Sequence, residues 1–225
     1  MTISFLRMTA TLLIALLAGA CATPGQAGAN QTSPTPVATA TARTADTTEG
    51  AARTYTAADV DFMSGMIGHH SQAILMSKWA PSHGASPSIQ TLALRIINAQ
   101  QDEIAAMQKW LQDHHQPVPD VSAHGIMMKM GGMEHEMVMP GMLTDAQLKQ
   151  LDEARGKEFD RLFLTFMIQH HQGAITMVND LFGSAGAAQE VSVYKVASDA
   201  FADQTTEIDR MQKMLAALIF ETNTP

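Results

Sequence analysis

The chain carries one helical hairpin twice, and this duplication restricts the possible architecture more than any other feature. Met66-Ile-Gly-His-His-Ser-Gln-Ala-Ile-Leu-Met76 and Met167-Ile-Gln-His-His-Gln-Gly-Ala-Ile-Thr-Met177 agree at seven of eleven positions with an offset of 101. A second pair follows in the same order with an offset of 104: Gln100-x-x-Glu103-Ile-x-x-Met107-Gln-Lys-x-Leu111 and Gln204-x-x-Glu207-Ile-x-x-Met211-Gln-Lys-x-Leu215. Each unit reads as two helices with one apolar face, which a lone hairpin cannot hide from water. Two hairpins packed together into an all-α four-helix bundle are the economical solution.

Local signals set the expected boundaries. The capping box Thr56-Ala-Ala-Asp59 opens a helix to about Trp79, where Pro81 and Gly84 end it. Ser86-Pro87 opens a second helix, which stops before Pro117 and Pro119. A second capping box, Thr144-Asp-Ala-Gln147, leads through Gly156, a break or kink, into a longer helix from about Glu158 to Phe182. Gly183 and Gly186 make a turn, and a last helix runs from about Ala188 to Phe220. Between the hairpins, Val118 to Gly141 shows neither helical nor strand periodicity and is expected to be a loop, and no strand is expected anywhere. The expected organisation is a signal peptide at 1–20, a lipid-anchored flexible linker at 21–54 and a bundle domain at 55–225. Within that domain, hairpin one covers 55–116, the connector 117–143 and hairpin two 144–221.

The N-terminus points to export. Arg7 precedes the apolar run Leu12-Leu-Ile-Ala-Leu-Leu17, too short to span a bilayer and placed like the centre of a signal peptide. Ala18-Gly19-Ala20 then precede the single cysteine, Cys21, a pattern similar to a bacterial lipoprotein signal except that Ala18 stands where leucine is usual. Simple secretion is the alternative. From Ala22 to about Ala52 there is almost no large apolar side chain, so the segment reads as a tether to the membrane. One cysteine allows no internal disulfide, and a formal net charge of -8 without a basic stripe argues against a nucleic-acid partner.

The candidate chemistry lies in the repeats. Phe62, Met66, His69, Ala73 and Met76 share one helical stripe, as do Phe163, Met167, His170, Ala174 and Met177, so an imidazole is set among thioethers on each core-facing side. His70 and His171 lie about 100° further round their helices. Burying four imidazoles is costly unless something satisfies them. A metal would, and so would a metal-free network with Glu103 and Glu207, which share stripes with Met107 and Met211. Mixed thioether and imidazole donors favour Cu(I), with Ag(I) by analogy, while His with Glu also suits Cu(II) or Zn(II). A di-iron centre needs Glu-x-x-His on facing helices, and neither His-His pair has that Glu.

The connector adds a second metal region. Its His124, Met127, Met128, Met130, Met133, His135, Met137, Met139 and Met142 put seven methionines and two histidines into nineteen residues. Flexible thioethers around histidine suit capture of Cu(I) where thiols would oxidise, and an adaptable hydrophobic flap is the alternative. His114-His115 offers a further exposed Cu(II) or Zn(II) site.

The paired Met-Ile-x-His-His-x-x-Ala-Ile-x-Met segments, the Glu-Ile-x-x-Met-x-x-x-Leu second helices and Phe159-Asp160 resemble the domain-of-unknown-function 305 family over about Tyr55 to Phe220. That resemblance implies an exported bacterial protein with a ferritin-like four-helix bundle, and it makes copper the leading cargo, since some members are linked to copper binding and tolerance. The expected function is sequestration or transfer of copper at the periplasm or outer cell surface, with other copper-handling proteins of the envelope as partners. A metal-dependent redox enzyme and a metal-free structural or interaction module are the alternatives. No nucleophile pair, phosphate loop or spaced carboxylate dyad speaks for an enzyme.

Overall fold

A computed structural model describes residues 54–122, 125–130, 133–137 and 139–222, with side chains for 54–120 and 139–220. The expected signal peptide, Cys21 and nearly all of the linker lie outside the described residues.

The bundle helices are α1 (Ala57–Trp79), α2 (Pro87–Asp113), α4 (Gly156–Gly183) and α5 (Val191–Thr222), with a short α3 (Asp145–Glu153) before the second hairpin. Both expected capping boxes form, at Thr56 with Asp59 and at Thr144 with Gln147. Gly156 takes a φ of 57° and starts α4, which separates α3 from it rather than kinking one continuous helix. Within each hairpin the helices pack along their length, α1 against α4 joins the hairpins, and α2 and α5 meet only sparsely.

Repeat-equivalent aspartates clasp the hairpins together. Asp59, fully buried at the start of α1, accepts a 2.7 Å bond from the Ala188 amide in the α4–α5 loop. Asp160, in the first turns of α4, accepts the Ser86 amide at 3.1 and 3.2 Å, holding the entry to α2. Each hairpin therefore grips the tip of the other, at opposite ends of the bundle. A charged acceptor on a backbone amide is worth about 1.5–3 kcal/mol.

The connector is not the expected loop. Asp120–Ser122 (β1), Gly125–Met130 (β2) and Met133–Met137 (β3) form a three-stranded antiparallel meander in the order β1-β2-β3. The physical reason is an alternation hidden among the methionines: Met133, His135 and Met137 alternate with Glu134 and Glu136, and strands need only period two. Strands β1 and β2 lie against α1, so α1 is buried on nearly every side, including Ser64, Gly65, Gly68 and Ser77, instead of along one stripe.

After β3 the chain crosses the α1–α4 pair, and the repeats receive it differently. Gln72 on α1 brackets Leu143, donating from Nε2 to its carbonyl at 3.1 Å and accepting its amide at 2.7 Å. Gly173, at the equivalent position of α4, lets Pro140 and Gly141 rest on the helix, where a Cβ would stand 1.9 Å from the Pro140 oxygen. Gly141 itself has a φ of 76°.

The apolar core has two parts. One contains Met76, Ile89, Leu92, Ile96, Phe159, Phe163, Met167 and Met211. The other contains Met63, Met66, Ile67, Met107, Leu111, Met177, Val178 and Val193. Between them each bundle helix passes through a polar layer: His69 and His70, Gln100 and Glu103, His170 and His171, Gln204 and Glu207.

Candidate metal centre

All four imidazoles of the repeats are fully buried. His69 and His170 meet across the bundle axis with ring centroids 3.8 Å apart and a 38° tilt. Each ring also has its chain neighbour nearby, at 6.4 Å for His69 and His70 and 6.3 Å for His170 and His171.

Hydrogen bonding selects the tautomers. A carbonyl can only accept, so His69 donates from Nε2 to the Pro140 oxygen at 3.0 Å and keeps a lone pair on Nδ1. His70 gives Nε2 to Glu103 Oε2 at 2.6 Å, and His171 gives Nε2 to Glu207 Oε2 at 2.7 Å, so the repeats match almost to the distance. Oxygens on one ring nitrogen orient an imidazole and raise the basicity of the other, as behind metal-bound histidines. Five buried ring nitrogens have no hydrogen-bond partner: Nδ1 of His69, His70 and His171, and both nitrogens of His170. At about 1–3 kcal/mol for each unsatisfied buried group, five approach the whole stability of a domain. The His–Glu network expected as a metal-free alternative thus forms, but it satisfies only one nitrogen of each ring it touches.

Burial also fixes the charge. His69 is lowered from 6.5 to about 3, first by desolvation and then by His70, with the Pro140 bond opposing and His171 adding a little. His170 is lowered well below 6.5, again by desolvation first, then by His69, His171 and His70. Both rings are neutral at neutral pH and offer lone pairs without competition from protons.

The candidate methionines fall into three groups. Met66, Met76, Met107, Met167 and Met211 are fully buried and Met177 nearly so, divided between the two core parts that flank the histidine layer. Met142 is buried, and Met139 packs over Gly65, where a Cβ would lie 3.0 Å from Met139 Sδ and 3.3 Å from Met177 Cε. These last two connector methionines have packing roles that an exposed loop would not supply. Met127, Met128, Met130, Met133, His135 and Met137 lie on β2 and β3, with Met128 opposite His135 and Met130 opposite Met133; their side chains are outside the described residues, as is all of His124.

His114 does not form the expected exposed site. It is half-buried, with Nδ1 2.8 Å from the Trp110 carbonyl, Nε2 3.1 Å from Glu190 Oε2, and its ring stacked on Trp110 at 4.2 Å. Among the described residues no three of His, Cys, Asp and Glu converge closely enough to hold a metal ion by themselves. A metal in the layer therefore draws on imidazole and thioether together, or on rings that turn toward it.

Sequence reasoning left out four polar residues of consequence. Gln100 and Gln204 complete the layer, and Asp59 and Asp160 make the clasps. The signal was present, since both pairs coincide at the repeat offsets.

Fold and layer together define a duplicated four-helix bundle whose core is interrupted by neutral, metal-ready imidazoles. The chain belongs to the family described as Domain of unknown function (DUF305), whose model matches residues 59–215. Among solved structures, a DUF305 protein of Streptomyces coelicolor described as secreted is 30% identical with a TM-score of 0.60, covering 74% of this chain and 96% of its own. CopM in its Cu(II)-bound form is 30% identical with a TM-score of 0.54, over 71% of this chain and 96% of CopM, and its Cu(I)-bound form is 28% identical at 0.53, over the same shares. CopM has also been solved with silver bound. A stretch of 55 residues is 46% identical to the uncharacterized protein L153 of Acanthamoeba polyphaga mimivirus, so the match spans only 36% of that relative and 24% of this chain. Among the described residues no helix is long and apolar enough to cross a membrane.

Proposed function

We propose that this protein binds copper as cargo at the cell envelope, sequestering it or passing it on. The observation that carries the reading is the histidine layer, where oriented neutral rings present unpartnered buried nitrogens between two methionine-containing core parts. Thioether with imidazole prefers Cu(I) and accommodates Ag(I), while the imidazoles held by Glu103 and Glu207 also suit Cu(II) and, less well, Zn(II). CopM, solved with Cu(I), Cu(II) and silver, supports that ion series. The connector methionines collect the ion and the bundle keeps it. Export with a lipid anchor at Cys21 places the bundle where other copper-handling proteins of the envelope can receive the metal. The protein acts as a carrier and not a catalyst.

Anaerobic titration of the chain, without its signal peptide, with Cu(I) against a competing chelator tests the reading. Binding no tighter than that of a methionine-free helical control would sink it. His170→Ala is expected to weaken Cu(II) binding about tenfold or more. Unchanged Cu(II) affinity in that variant would move the metal from the layer to the connector.

A further inference from the structure

Where α2 and α5 fail to meet, the bundle has a cleft of about 180 Å³ on whose walls lie Gln100, Glu103, Asp203, Gln204 and Glu207. Gln100 is 2% exposed, and neither its Oε1 nor its Nε2 has a partner. Gln204, its repeat equivalent, is 3% exposed with Oε1 unpartnered. Burying an amide without a hydrogen bond costs about 1–3 kcal/mol, and here the same cost recurs at both repeats. The carboxylates add an unbalanced charge. Asp203 is raised above the ordinary carboxyl range by desolvation first and then by Glu103, Glu207 and Asp199. Arg95 also lines the cleft but is not among the charges Asp203 feels.

Amide and carboxylate oxygens are the donors chosen by hard divalent cations, and the cleft lining contains no sulfur. No three acidic or histidine groups among the described residues close on a bare ion. The volume has room for an ion with several of its waters. We propose that the α2–α5 cleft binds a partly hydrated divalent cation of the Mg²⁺ or Mn²⁺ type through oxygens of Gln100, Gln204 and the carboxylates of Glu103, Asp203 and Glu207. This site is separate in donor chemistry from the copper layer and does not rest on the copper reading. Glu103 and Glu207 touch both regions, because each spends one carboxylate oxygen on a buried histidine.

The test uses Mn²⁺ alone on the copper-free chain, followed by water-proton relaxation. One Mn²⁺ per chain, displaced by Mg²⁺, is expected. Asp203→Asn, a change at an exposed position that leaves the core intact, is expected to weaken Mn²⁺ about tenfold or more. Gln100→Leu is expected to do the same while raising the metal-free melting temperature, because an unpartnered amide leaves the interior. His170→Ala is expected to leave Mn²⁺ binding as it was. The proposal is overturned if millimolar Mn²⁺ does not bind, if Asp203→Asn and Gln100→Leu both bind it as before, or if His170→Ala abolishes it.

Discussion

At His69 and His170, protonation and stability are one question. Free imidazole in the unfolded chain takes up a proton as pH falls through 6.5, whereas folded His69 resists to about 3 and His170 is held well below 6.5. Between those limits the unfolded state binds more protons, so stability is complete above 6.5 and declines as pH falls. The slope is about 1.4 kcal/mol per pH unit for each ring. The groups facing the rings are His70 and His171, with Glu103 and Glu207 behind them; the raised Asp203 works in the opposite sense, but weakly because it is exposed. The urea midpoint of the metal-free protein should therefore drop steeply between pH 7 and pH 4.5. A flat midpoint would mean that the rings become charged inside the bundle.

The connector and the clasps make predictions at the level of elements. Gly173→Ala would put a Cβ against Pro140 and Gly141 backbone atoms, which cannot turn aside as a side-chain tip can. It should lift the connector, break the His69–Pro140 bond and cost about 1–3 kcal/mol, seen as a lower melting temperature. Gly183→Ala, with nothing within 4 Å of the added carbon, is the control and should be neutral or mildly stabilising. Asp59→Ala and Asp160→Ala should each cost about 1.5–3 kcal/mol in denaturant unfolding. Because they act at opposite ends, the double variant should show their sum, and strong non-additivity would argue that the clasps form one network. The helices were legible in the chain because capping boxes, prolines and apolar spacing agreed. The meander was not, although Gly131-Gly132 between two alternating runs is a hairpin signal in the sequence. Methionine read as a ligand concealed its other role as a strand residue.

For the molecule as a whole, duplication made the bundle and the position of the histidine layer readable before any coordinates. It could not reveal the tautomers, because these depend on Pro140, which lies 71 residues from His69, and on Glu103 and Glu207 arriving from other helices. Nor could it show the α2–α5 cleft, since sequence reports which faces are apolar and not how closely two of them approach. The connector has a further consequence. Two copies of a hairpin can begin as interchangeable parts, but a single crossing segment can be held by glutamine on one side and admitted by glycine on the other only if the copies cease to be alike, as Gln72 and Gly173 have done. A chain that lost either half could not be rebuilt by copying the survivor: two glutamines would leave no bed for Pro140, and two glycines no grip on Leu143. The ancestral symmetry has become a division of labour that runs in one direction only.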